Sequence, residues 1–301
     1  MRNLSSNTKG IIYALLAALA VSNVYIFSKA AINEIHLAQF GVYWFGLGIL
    51  WLTIYLAVRG KLKDIGKITR KSFYQLLILA LLEMFGTLFF FLSIKTLSNP
   101  AIVSFLANIN PLFVTILGIL LLKERFNAIE FAGMFVILAG AIIISLQGTE
   151  SIDTIFIPGV EYVLIAGFLY SIAVIIAKKQ VKHVDASILA LSRIIMLFVF
   201  SVGSLLYFGL NLNIPSSALF NITIGSILGP FLTATFGYLA LSHIEASKTA
   251  MVRSIRSLFV LVGAYVYFGS FPTTVQILGG VLTITGVILI SMGKLRLKKS
   301  S

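Results

Sequence analysis

The chain has 301 residues, of which 59% are hydrophobic and only 11% charged, and its mean hydropathy is +1.03. Such a composition excludes an ordinary soluble domain, and the absence of cysteine excludes a disulfide framework and thiolate metal sites. The net charge of +13 would suit a polyanion partner in a soluble protein, so its meaning depends on where the basic residues lie.

A membrane-spanning helix needs roughly 20 largely apolar residues. By that ruler the sequence predicts helices at 10 to 31, 37 to 58, 73 to 94, 100 to 122, 128 to 147, 159 to 178, 186 to 208, 219 to 241, 246 to 268 and 274 to 293. The first of them follows Arg2 and Lys9 as a signal peptide would, but its apolar run continues past residue 22 and closes on Lys29, which makes it a full span. The longest polar insertion runs from Arg59 to Ser72 and leaves no room for an extramembrane catalytic or nucleic-acid-binding domain. The expected fold class is an all-α polytopic membrane protein of ten transmembrane helices.

Charge then sets orientation. With the amino terminus inside, the cytoplasmic segments collect all the basic residues except Lys29, Lys95, Arg193, Arg253 and Arg256, while the connections 148–158, 209–217 and 269–273 carry no Lys or Arg. That asymmetry is the positive-inside rule, and it predicts a multi-pass protein with both termini cytoplasmic; the plasma membrane is the favoured compartment. Basic loops beside anionic headgroups account for the +13 without a nucleic-acid partner.

The two halves repeat each other. Gly10, Tyr13, Ser22 and Lys29 match Gly159, Tyr162, Ser171 and Lys178 at one constant spacing, and Phe113, Gly133 and Gly140 match Phe259, Gly279 and Gly286 at another. Two units of five helices follow, residues 1–150 and 151–301. Five is odd, so the second unit threads the bilayer in the opposite direction, a construction recurrent in secondary transporters.

Asn110-Pro111-Leu112-Phe113, Leu122-Lys123-Glu124-Arg125-Phe126 and Gly133 to Gly140, together with Ala246-Ser247, Arg253, Leu258-Phe259, Gly279 and Gly286 in the second half, resemble the EamA-type branch of the drug/metabolite transporter superfamily. The resemblance covers essentially the whole chain. It implies cytoplasmic termini, a central cavity lined mainly by the first, third, fourth, sixth, eighth and ninth helices, and export or exchange of small metabolites. The chain departs from the pattern at Trp44, where such families often carry Arg, although the repeat-related Arg193 is kept. Ser257 and Ser270 stand where the first half has Pro111 and Glu124.

Ionisable groups deep in a span cost roughly 2.5 to 3.5 kcal/mol each on insertion scales, so their presence asks for a function. Glu83 is the one acid near the centre of a predicted span, and Arg193, Arg253 and Arg256 are the bases. Arg253 and Arg256 are three apart and therefore share a helix face. If Glu83 neutralises one arginine, the surplus positive charge favours a carboxylate or phosphate, which a guanidinium grips with two parallel hydrogen bonds. The alternative is that Arg193 snorkels to the cytoplasmic side while Arg253 and Glu83 form a structural pair. Glu83 could also carry a coupling proton, since desolvation raises a carboxyl pKa.

Further candidates for substrate binding are polar residues within the spans. Pro111 removes a backbone donor and frees the carbonyl of Ala107 between Asn108 and Asn110, which makes it a kink or gating position. Ser22, Asn23, Tyr170, Ser171 and Tyr238 complete the set. Gly133 and Gly140, like Gly279, Gly286 and Gly293, recur every seven residues, which suits close helix packing and makes the fifth and tenth helices scaffold. His36, His183 and His243 lie far apart at helix ends, so no metal is expected, and the lack of a glycine-rich phosphate loop argues against ATP-driven pumping; no cofactor is expected.

The favoured function is a secondary transporter exporting a small organic metabolite, an amino acid or other carboxylate-bearing solute, by alternating access. The rival within that class is a proton-coupled exporter of lipophilic cations using Glu83. A rival of another class, an intramembrane enzyme acting on a lipid-linked substrate, is poorly supplied, because one central carboxyl without a central His or Cys makes no acid/base pair. The partners expected are the small-molecule substrate and the lipid bilayer, with a homodimer left open.

Overall fold

The computed structural model describes residues 5–122, 127–145 and 157–299, with only the backbone described at 67, 122, 291 and 293–299. Lys123 to Phe126, Arg2, most of the 148–158 connection and the side-chain surroundings of Leu122 and Gly293 therefore lie outside the described residues. What is described is helical throughout: α1 (Ser6–Ile32), α2 (Leu37–Val58), α3 (Arg70–Thr96), α4 (Pro100–Leu121), α5 (Ala128–Ser145), α6 (Val160–Gln180), α7 (Ala186–Tyr207), α8 (Ser216–His243), α9 (Ala246–Phe268) and α10 (Thr274–Lys299). The first nine are long and apolar enough to cross a bilayer, and Thr274–Ile290 is the apolar part of the tenth. Their outward faces carry bare hydrophobic side chains, Leu120, Phe135, Val199 and Val262 among them, as lipid contact requires.

Local sequence sets the ends. Ser5, Thr69, Asn99 and Asp185 cap α1, α3, α4 and α7 with side-chain oxygens on otherwise unpaired backbone N–H groups, and His36 with Gln39 closes a capping box on α2. Three spans are broken near mid-length. α4 tightens into a 3-10 turn at Ala107–Ile109 just before Pro111, α8 widens into a π segment at Ile227–Thr233 around Pro230, and α9 turns at 254–255 between its two arginines. The sequence pattern had singled out only the first of these prolines.

The repeat is visible as a contact. A Cβ on Gly133 would lie 2.7 Å from the carbonyl oxygen of Gly286 and one on Gly286 2.6 Å from that of Gly133; Gly140 and Gly279 face each other in the same way, at 2.6 and 2.8 Å. Numbers rise along α5 as they fall along α10, so the helices are antiparallel. Repeat mates also exchange partners, as across a twofold axis. That axis runs perpendicular to the helices, which is how an inverted repeat must be related. Gly140→Val would drive a side chain into backbone that cannot yield, and we expect a loss of about 1 to 3 kcal/mol, read as a melting temperature in detergent lower by roughly 3 to 10 °C. An unchanged melting temperature would contradict the close approach.

The repeats interleave rather than sit side by side. α1 packs along α8 and α9, and α2 along α8; in mirror fashion α6 packs along α3 and α4, and α7 along α3. Two groups result, α1/α2/α8/α9 and α3/α4/α6/α7, each containing helices from both halves of the sequence. They meet along α2–α7, the largest contact that either of those helices makes, and along α7–α8 and α4–α9, with α5 and α10 paired at one side.

Candidate functional site

Between the two groups lies a cavity of about 170 Å³, with polar groups from the middle of α3 and from beside the breaks in α4 and α9. Its wall draws on eight helices, α1 to α4 and α6 to α9, and on neither α5 nor α10. To the six helices implied by the resemblance the structure thus adds α2 and α7, through Trp44, Phe45, Arg193 and Ile194.

One polar cluster is fully engaged. Arg193 of α7 turns inward and forms an ion pair with Glu83 of α3, so it does not snorkel, and the partner of Glu83 is not Arg253. Tyr238 of α8 donates to the other Glu83 oxygen at 2.8 Å. Arg193 also donates to the Thr87 hydroxyl at 3.1 Å, and Thr87 in turn shares a 2.9 Å bond with the Tyr170 hydroxyl of α6. Four helices are joined through one acid, one base and three hydroxyls. Thr87 was missed from the sequence, although it stands four residues after Glu83 and so on the same face of α3.

The second cluster carries unbalanced charge. Arg256 donates at 2.9 Å to the Ala107 carbonyl, the group whose helical bond Pro111 removes. Arg253 lies over Gly237 of α8 and forms no hydrogen bond or ion pair with any described residue. The helix breaks between these two arginines, so they do not share one continuous helical face as their spacing suggested; both line the cavity all the same. Asn110 joins them with its side-chain oxygen unpaired.

Other candidates are placed elsewhere. Asn108 is fully buried among α4, α9 and α10, donating to Thr283 at 3.2 Å and accepting from Ser257 at 3.0 Å. Ser22 and Asn23 both bond back to the Leu19 carbonyl, and Ser171 bonds to that of Phe168. None of these four contributes to the cavity wall, because each closes its hydrogen bonds within or between helices. The remaining wall is largely apolar, with an aromatic part in which Tyr25, Phe90 and Phe91 stand with Phe45 and Trp44, and Tyr25 meets Phe90 edge to face at 5.0 Å.

The repeat mates of the ion pair are apolar. Pro230 holds on α8 the place of Glu83 on α3, and Trp44 holds on α2 the place of Arg193 on α7. The Trp44 ring presses on Gly225 and Gly229, where a Cβ would lie within 2.2 and 2.8 Å of it.

The model of the EamA-like transporter family matches residues 8–146 and again 157–292. The chain belongs to that family. Relatives include an "Uncharacterized transporter" of Archaeoglobus fulgidus, 25% identical over 295 residues, covering 94% of this chain and 97% of that one. An "Uncharacterized transporter" of Bacillus subtilis is 27% identical over 242 residues, 76% of each chain, and another of Synechocystis is 24% identical over 253 residues, 79% of this chain and 71% of the relative. A solved crystal structure shares the fold with a TM-score of 0.67 at 14% identity, over 95% of this chain and 98% of the other. Membership of the family points to a small-molecule transporter rather than an enzyme, in keeping with nine spans and a shorter apolar helix among the described residues and a cavity between them.

Proposed function

We propose that the chain is a secondary carrier that exports a small carboxylate-bearing solute, such as an amino acid, across the plasma membrane by alternating access, with both termini in the cytoplasm. The observation that carries this reading is the pair Arg253 and Arg256, two guanidinium groups on the cavity wall with no carboxylate partner among the described residues. Glu83 is already matched by Arg193, so the cavity keeps a positive surplus in a poorly hydrated setting, and an anion supplies the missing counter-charge. The aromatic wall suits the apolar remainder of such a solute. Rocking of α1/α2/α8/α9 against α3/α4/α6/α7 would open the cavity to either side, because it lies between them.

The aromatic wall also favours a second reading, proton-coupled export of a lipophilic cation. Glu83 would have to leave Arg193 and Tyr238 to bind it, and Arg253 would repel it. A thermal-shift screen of the purified protein against amino acids, other carboxylates, sugar phosphates and quaternary amines separates the two, since a ligand at about 100 times its Kd stabilises the folded state by roughly 2.7 kcal/mol. We expect carboxylates to raise the melting temperature and quaternary amines to leave it unchanged. Stabilisation by the amines alone would replace the first reading with the second.

A further inference from the structure

Lys29 and Lys178 are repeat mates, and the structure gives them the same task at opposite ends of the molecule. The Lys29 ammonium donates to the carbonyls of Ile94, Lys95 and Leu97 at 2.8, 3.2 and 2.9 Å, at the carboxy-terminal end of α3. Lys178 donates to those of Leu241 and Ile244 at 2.7 and 2.6 Å, at the corresponding end of α8. Leu241 and Ile244 are themselves the repeat mates of Ile94 and Leu97. A helix ends in carbonyls without intrahelical partners and in the negative pole of its dipole, so an ammonium is well placed there.

These are more than caps because of the helices they join. Gly10 of α1 sits so close to Ile244 that a Cβ would meet its side chain at 2.5 Å, and its mate Gly159 of α6 would meet Thr96 and Leu97 at 3.1 and 3.3 Å. The glycines therefore weld α1 to α8 and α6 to α3, within one group each. The lysines do the reverse: Lys29 ties α1 to α3 and Lys178 ties α6 to α8, across the two groups and between helix pairs that otherwise touch little.

We propose that Lys29 and Lys178 are the gate-positioning residues of the transport cycle. The Lys29 clamp closes the mouth at the outer helix ends, the Lys178 clamp closes the inner mouth, and each side opens when its ammonium leaves the carbonyls to water. The proposal rests on the alternating-access reading above. With both clamps engaged, the structure corresponds to the stage between the two openings. The clamps are unequal in burial, since Lys29 is only 7% exposed whereas Lys178 is partly exposed to water, so the inner mouth is the readier to open.

The chain has no cysteine, so a single introduced thiol reports without background. Val24→Cys on the cavity wall would be labelled with a membrane-impermeant thiol reagent from either face, using intact cells and inverted vesicles, in the parent and in Lys29→Met and Lys178→Met. We expect Lys29→Met to raise labelling from one face several-fold and Lys178→Met to raise it from the opposite face, with Lys29→Arg close to the parent. Where a Met variant is not monodisperse, Gln at that position keeps two donors without the charge, and the same sidedness is expected. Folded variants that leave both rates unchanged, or that raise both faces alike, overturn the gate assignment. Labelling needs no solute, whereas the carrier reading stands or falls on flux in proteoliposomes, so each can fail separately.

Discussion

Arg253→Ala is expected to reduce transport of the carboxylate solute that best stabilises the parent by tenfold or more in proteoliposomes, while leaving the melting temperature in detergent unchanged or slightly raised. The combination is diagnostic. Truncating one partner of a buried, hydrogen-bonded charge pair costs about 2 to 5 kcal/mol of binding, and each 1.4 kcal/mol is a factor of ten. Yet Arg253 has no hydrogen-bond or ion-pair partner among the described residues, so its removal takes a desolvated charge out of the membrane interior without breaking such a bond. Arg253→Lys keeps the charge but not the planar fork, and should recover only part of the activity. Arg256→Ala should lose transport as well, but with some stability, because it also removes the charged donor from the Ala107 carbonyl and leaves it only the Asn110 N–H. Parent-rate anion transport by the Arg253→Ala, Arg256→Ala double variant would remove the basis for an anionic substrate.

Glu83→Ala should have the opposite signature, a large loss of stability whatever the solute. Removing one member of a buried ion pair leaves the other uncompensated, at a cost of about 3 to 5 kcal/mol, and here Tyr238 also loses its acceptor. Removing both charges, as Glu83→Leu with Arg193→Leu, should restore much of that stability, because a well-packed apolar pair can match a buried salt bridge. Melting curves of the single and double variants in detergent, arranged as a double-mutant cycle, measure the coupling directly. Equal melting temperatures for the parent and Glu83→Ala would mean that the pair contributes nothing to the fold.

The spans and their inversion were open to sequence reading because the bilayer imposes a length and an apolar composition on each helix, and because five is odd. α1 begins four residues earlier than the apolar run suggests, since Ser5 supplies the cap. The break at Pro111 was legible too, for backbone chemistry is local, but the Ala107 carbonyl is not left free: the 3-10 turn gives it the Asn110 N–H and Arg256 adds a second donor. Pro230 offered the same signal in α8 and was passed over, so the π segment came as a finding. The identity of the acid's partner was not legible. Arg193 lies more than a hundred residues from Glu83, and only the packing of α7 on α3 decides between it and Arg253. Asn108 illustrates the converse. A buried amide beside a proline looks the same in sequence whether it faces a cavity or, as here, a neighbouring helix's threonine.

Interleaving of the repeats could not have been inferred, because it requires knowing which helices touch. Hydropathy fixes how deep a residue lies, not the side on which its helix finds neighbours.

The oily counterpart of the acid–base couple, Pro230 with Trp44 in place of Glu83 with Arg193, means that exchanging the roles of the two halves does not return the molecule to itself. Under the alternating-access reading proposed above, its two resting orientations are then unequal in energy, and an unloaded protein would wait mostly facing one compartment. Gradients alone would decide which way net flux runs, but the concentration needed for half-maximal flux would differ between the two faces of the membrane.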